Sequence, residues 1–99
     1  MYISKVSEEQ LNSLYDAILS LETQEECAKF LKDLTTVHEL EVLSQRLEVA
    51  RLLEEGHTYK SIEEKTQAST ATISRVKRTL ENGDNGYKLA LKRTSSLKV

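Results

Sequence analysis

Residues 58–83, TYKSIEEKTQASTATISRVKRTLENG, constrain this chain more than any other stretch. Thr58 and Ser69 are N-cap residues, each standing ahead of a short segment with apolar residues at helical spacing. Only the turn Gln67-Ala68-Ser69 separates the segments, so two short helices must cross close together. Ile62, Ala68, Ile73, Val76 and Leu80 fall where such helices touch. Of these, Ile73, Val76 and Leu80 recur at i, i+3, i+7 and form one inward stripe on a helix expected from residue 70 to 81. The opposite side of that helix carries Ala71, Ser74, Arg75 and Arg78 at i, i+3, i+4, i+7.

That outward stripe combines small residues with cations, as a helix entering the major groove of DNA requires. Small side chains let the backbone approach base edges and thymine methyls, while arginine grips guanine in two-pronged fashion or holds phosphate. Ser69 caps the helix, and Thr70 and Thr72 place hydroxyls at its first turn, where free N–H groups form an anion site. Tyr59 and Lys60, opening the preceding helix, are placed for a flanking phosphate. The expected DNA-binding set is Tyr59, Lys60, Ser69, Thr70, Ala71, Thr72, Ser74, Arg75 and Arg78. The plainer reading is two solvated helices of an ordinary bundle, but turn, inner pattern, small-residue face and local charge coincide here. Two positions depart from the usual helix-turn-helix pattern. Gln67 stands where glycine is common, and Glu63 where a small residue is common, which bears on the angle between the helices.

The rest of the chain reads as helices. Ser7 with Gln10, Thr23 with Glu26, and Thr36 with Glu39 are capping signals. They open helices over about residues 8–22, a short second segment carrying Cys27, Phe30, Leu31 and Leu34, and a long third one. The third is expected to bury Leu40, Leu43, Leu47, Ala50 and Leu52 or Leu53, and to stop at Gly56. Residues 82–86 read as a loop, residues 87–93 as a last short helix, and residues 94–99 as a frayed tail. The chain contains no proline, and its 99 residues bound one all-α domain of about six helices.

Charge divides the chain. Residues 1–55 hold five Lys/Arg against twelve Asp/Glu, a balance of −7, while residues 56–99 hold nine against four, a balance of +5. One half is suited to a polyanion and the other to something else. The first half is expected to supply dimerisation helices and residues 58–82 the helix-turn-helix. The single cysteine rules out an internal disulfide. Cys27 is expected as a small buried hydrophobe. No membrane-length apolar stretch or signal-like N-terminus is visible, which points to a cytoplasmic protein with no membrane partner. His38 and His57 lie at no ligand spacing, so no metal is expected. Adjacent glutamates point in different directions on a helix, and no nucleotide fingerprint or triad is present, so no enzyme is expected.

The runs Leu43-Ser44-Gln45-Arg46, Leu52-Leu53-Glu54-Glu55-Gly56 and Ala71-Thr72-Ile73-Ser74-Arg75 make the chain resemble the Trp repressor superfamily. It is most similar to its short members of unassigned effector from low-GC Gram-positive bacteria. The resemblance spans about residues 34–82. It implies an all-helical, intertwined homodimer that presents two reading helices to successive major grooves of a pseudo-palindromic site. It also implies a corepressor pocket whose two arginines match Arg46 and Arg75 and whose threonine matches Thr36 or Thr35. The glycine that faces the indole ring in that pocket is replaced by Val76, whose branched side chain fills the ring's space. Tryptophan is therefore not the expected ligand, and a smaller effector or none is. For Arg46 an ion pair with a carboxylate such as Glu48 is an equal alternative.

The leading expectation is a sequence-specific transcriptional regulator acting as a repressor on double-stranded DNA, without a cofactor. An adaptor that keeps the fold but binds protein through its basic face is the alternative, and a recruitment module of a recombinase a third.

Overall fold

The structure, a computed structural model, describes residues 7–95. It consists of six helices: α1 (Glu8–Leu19), α2 (Gln24–Leu34), α3 (Val37–Glu54), α4 (Tyr59–Thr66), α5 (Thr70–Asn82) and α6 (Gly86–Ser95). No strand occurs among the described residues. Internal contacts divide the chain into two compact units, Met1–Leu40 and Glu41–Val99. The division lies inside α3, well before the charge boundary at residue 55, because the last turns of α3 pack with the helix-turn-helix.

In the first unit each helix is opened by side chains. Ser7 Oγ accepts from the Gln10 amide at 3.1 Å while Gln10 Oε1 accepts from the Ser7 amide at 3.3 Å. α1 ends at Leu19, three residues before the expected Glu22. The Glu22 amide instead donates to Glu26 Oε1 at 2.8 Å, so it serves the start of α2 and cannot extend α1. Thr36 and Glu39 cap α3 reciprocally, at 2.8 and 3.0 Å. The Thr36 amide, and then its hydroxyl, hold the Glu39 carboxyl below its ordinary range. Neither α1 nor α2 buries a residue. Cys27 is accordingly exposed, against the expectation of a buried thiol.

The second unit has a core. Val49, Ala50 and Leu52 of α3 meet Ile62 of α4, Ala68 of the turn, and Ile73, Val76 and Leu80 of α5. Leu53, Tyr59, Tyr87 and Leu91 pack against this cluster from its edge. All five residues expected at the crossing are buried. The expected stripe on α3 is only partly right, since Leu43 and Leu47 stay 47% and 46% exposed while Val49 is fully buried. The inward line of α3 is Gln45, Val49 and Leu52, at i, i+4, i+7. Its first member is polar because it has a structural task. Gln45 Nε2 donates to the Thr66 carbonyl at 3.1 Å, satisfying the C-terminal end of α4.

α3 stops as expected at Gly56, whose φ is 86°. The His57 amide donates to the Leu52 carbonyl at 3.0 Å and the Gly56 amide to Leu53 at 3.1 Å, a Schellman closure. α4 ends on Gln67, which takes the left-handed conformation at φ 62°, ψ 14°. Its amide donates to the Glu63 carbonyl at 2.9 Å and its side chain to the Glu64 carbonyl at 2.9 Å. The turn thus keeps its geometry without glycine. At the far end of α5, Gly83 is needed for space, since a Cβ there would stand 2.6 Å from the Thr79 carbonyl oxygen. α6 runs to Ser95, so Thr94 and Ser95 are helical and not part of a frayed tail. The remaining tail residues, 96–99, lie outside the described residues.

Left-handed backbone costs a residue with a Cβ roughly 1–2 kcal/mol, while glycine's extra unfolded-state freedom offsets about 0.5–1 kcal/mol of any relief. Gln67→Gly should therefore stabilise the protein by about 0.5 kcal/mol, read as a raised urea midpoint at unchanged slope. A lowered midpoint would mean that the side-chain bond to Glu64 outweighs the strain.

Candidate nucleic-acid interface

α4 and α5 place the expected residues in three different settings. Ser69 and Thr72 are engaged with each other at the start of α5. Ser69 Oγ accepts from the Thr72 amide at 3.2 Å and lies 3.2 Å from Thr72 Oγ1. Tyr59 packs its ring against the core, and Lys77 Nζ lies 5.8 Å from the ring centroid. This cation–π contact ties the first turn of α4 to the middle of α5.

The second setting is open. Lys60, Ala71, Arg75 and Arg78 are exposed and Ser74 is half-buried. Among the described residues, Lys60, Arg75 and Arg78 make no ion pair with a carboxylate. The inward stripe of α5 is held at Ile73, Val76 and Leu80, so the rotation of the helix about its axis is fixed and this face must point outward. Two arginines and two small side chains on the locked helix, with Lys60 contributed by α4, form a surface that can meet a phosphate backbone and base edges together. Thr70, also exposed, donates its hydroxyl proton to Glu63 Oε1 across the turn. Glu63, the outsized residue of the preceding helix, thereby joins this surface. The sequence shows both residues but not that the turn brings them together.

The third setting is a small cleft of about 120 Å³ beside α5, lined by Arg46, Thr72, Arg75, Val76, Thr79 and Tyr87. It brings together the two arginines expected of an effector pocket. Thr36 belongs to the first unit, where it caps α3, and Thr35 Oγ1 donates to the Leu31 carbonyl at 2.7 Å. Val76 is buried in the core. Tyr87 lines the cleft and packs on the same core. The alternative role for Arg46, an ion pair with Glu48, does not occur. Glu48 instead takes Arg51 in a two-pronged grip at 2.9 and 2.5 Å, and Glu55 holds the same guanidinium at 2.6 Å. These carboxylates, Glu48 foremost, hold the Arg51 proton more tightly still.

A second, larger groove of about 560 Å³ lies along α3 and α6, where Leu47 and Leu91 line it beside that Arg51 cluster, Lys88 and Lys92. Its central cation is thus already neutralised. Among the described residues no group of three or more His, Cys, Asp or Glu could hold a metal ion. His57 is engaged locally, with Nδ1 3.3 Å from Ser61 Oγ and Nε2 3.6 Å from Glu55. No helix is long and apolar enough to cross a membrane.

Comparison with known proteins agrees with this architecture. The model of the family described as Trp repressor protein matches residues 9–95. The chain is 54% identical over 93 residues to the uncharacterised protein YerC of Bacillus subtilis (strain 168), covering 94% of this chain and 89% of that protein. Its fold matches the crystal structure of a candidate Trp repressor from Staphylococcus aureus with a TM-score of 0.90 at 50% identity, over 96% of this chain and 95% of the other. A TrpR-like protein from Eubacterium eligens matches with a TM-score of 0.88 at 44% identity, over 98% and 100% of the two chains. The family consists of regulatory DNA-binding proteins, not enzymes. With a family model spanning nearly the whole chain and two crystal structures sharing its all-helical fold, this protein belongs to the Trp repressor family.

Proposed function

We propose that the protein is a sequence-specific transcriptional regulator, a repressor acting by occupancy in the cytoplasm, that reads the major groove with α5 as a homodimer. The observation that carries this reading is the outward face of α5. Ala71, Ser74, Arg75 and Arg78 lie opposite a fully buried stripe, and the arginines are not taken up by carboxylates of the described residues. On α3, by contrast, the Arg51 guanidinium is taken up by Glu48 and Glu55. The adaptor reading has no comparable observation in its favour.

The dimer is supported by the first unit. α1 and α2 are well capped, yet contain no fully buried residue, and leave Ile18 48%, Leu19 81% and Leu34 53% exposed. Helices of this length are marginal alone and need an apolar partner. A second copy of the chain supplies one of matching pattern, and places two reading helices for a pseudo-palindromic site.

No cofactor is needed for this function. The cleft between Arg46 and Arg75 is well below the roughly 300–1,000 Å³ of ordinary ligand pockets. The buried Val76 and the neighbouring Tyr87 line its wall. Tryptophan is therefore not the effector, and any ligand is smaller.

Three outcomes are expected. Binding to duplex DNA, followed by fluorescence anisotropy, should weaken steeply with salt. Arg78→Ala should lower the log–log slope by about one and act on all sequences alike if it holds phosphate, whereas Arg75→Ala should lose about 1–3 kcal/mol of preference at one position if it reads a base. Affinity independent of salt would favour the adaptor. Sedimentation equilibrium should give a dimer, and Ile18→Glu with Leu19→Glu should yield monomers of reduced helicity; a wild-type monomer would contradict the assembly. Calorimetry with free amino acids should show no tryptophan binding, and tight binding would overturn the reading of Val76.

A further inference from the structure

We propose that Glu63 sets a base preference of the reading helix by fixing the hydroxyl of Thr70 as a hydrogen-bond acceptor. The inference rests on the reading of α5 as the DNA-facing helix. Thr70 Oγ1 and Glu63 Oε1 are hydrogen-bonded across the turn, from residues seven apart in sequence. A carboxylate has no proton to give, so the hydroxyl must be the donor. Threonine has one hydroxyl proton and two acceptor lone pairs. With the proton committed to Glu63, the exposed oxygen can only accept from a group that approaches α5.

Base edges in the major groove divide by this property. Adenine N6 and cytosine N4 donate, whereas guanine N7 and O6 and thymine O4 accept. An acceptor-only Thr70 favours adenine or cytosine on the contacted strand. A Thr70 freed from Glu63 can rotate its proton and serve either class. The neighbouring hydroxyls are engaged with each other instead, since Ser69 Oγ donates to Thr72 Oγ1 and accepts from the Thr72 amide. The carboxylate is stable in this position because the start of a helix carries partial positive charge. Close to phosphate the same charge is repulsive, so Glu63 contributes selectivity without contributing affinity. That separates a positioning role from a structural one, whose loss would weaken binding to every sequence.

Selection of bound duplexes from a random pool, with the full chain, tests this. Wild type should show one position in each half-site where adenine and cytosine exceed guanine and thymine by roughly fivefold, as for a single hydrogen bond. In Glu63→Ala that position should become indifferent, while other positions and the affinity for random DNA do not fall. Thr70→Val, an exposed substitution, should lose the same preference, and the double variant should match Thr70→Val. Helicity by circular dichroism verifies folding, and if Glu63→Ala does not fold, Glu63→Gln, whose amide can donate as well as accept, should reduce the same preference. The inference is overturned if wild type enriches a palindrome and Glu63→Ala leaves every position unchanged. It is also overturned if Thr70→Val keeps the preference, since the carboxylate would then be the reader. A wild-type chain that enriches no site overturns the DNA reading and this inference with it.

Discussion

Burial of Ile62 and Ile73 against Val49 and Leu52 is the contact on which the reading surface depends. Each such side chain contributes about 1.5–3 kcal/mol when removed from water. More important here, the cluster draws one member or more from α3, α4 and α5, so it fixes three helices at once. α5 cannot turn about its axis without exposing Ile73, Val76 or Leu80. The outward residues are thereby aimed by what lies beneath them, and a stripe of two arginines and two small residues becomes a surface of defined shape.

The turn between α4 and α5 completes this arrangement by local chemistry. Gln67 holds left-handed backbone, the Thr66 hydroxyl links the Ile62 carbonyl to the Ala68 amide, and Glu63 reaches Thr70. Gln45 closes the end of α4 from α3. Polar side chains thus do at the turn what apolar ones do in the core, and hold α5 by its first residues as well as by its flank. The first unit is built on the opposite plan, with satisfied helix ends, no buried residue in α1 or α2, and exposed side chains at Ile18, Leu19 and Leu34.

Much of this was legible in the sequence. The crossing residues Ile62, Ala68, Ile73, Val76 and Leu80 follow helical spacing so closely that all are buried. Caps at Ser7, Thr23, Thr58 and Ser69 lie where side-chain oxygens precede apolar periodicity. The inward line of α3 was hidden, because Gln45 is polar and the more continuous leucine stripe, Leu43 and Leu47, is half exposed. Helix ends were hidden where a neighbouring helix claims a backbone amide, as Glu26 does at Glu22. The cleft residues Thr79 and Tyr87 were hidden too, since only the return of the chain through α6 brings Tyr87 beside Val76. The pairing of Glu63 with Thr70 could be foreseen as two residues flanking a turn, but not as a bond, because a bond across a turn depends on the angle at which the helices cross.

In the proposed function, the core aims one face of α5 at DNA. Mapping amide chemical-shift changes by NMR, as a duplex is titrated into the full chain, tests it most directly. The largest changes should fall at Lys60, in the turn at 67–69, and along Thr70, Ala71, Ser74, Arg75 and Arg78, with Ile73 and Val76 little moved. Changes centred instead on the groove along α3 and α6, or absent altogether, would contradict the account.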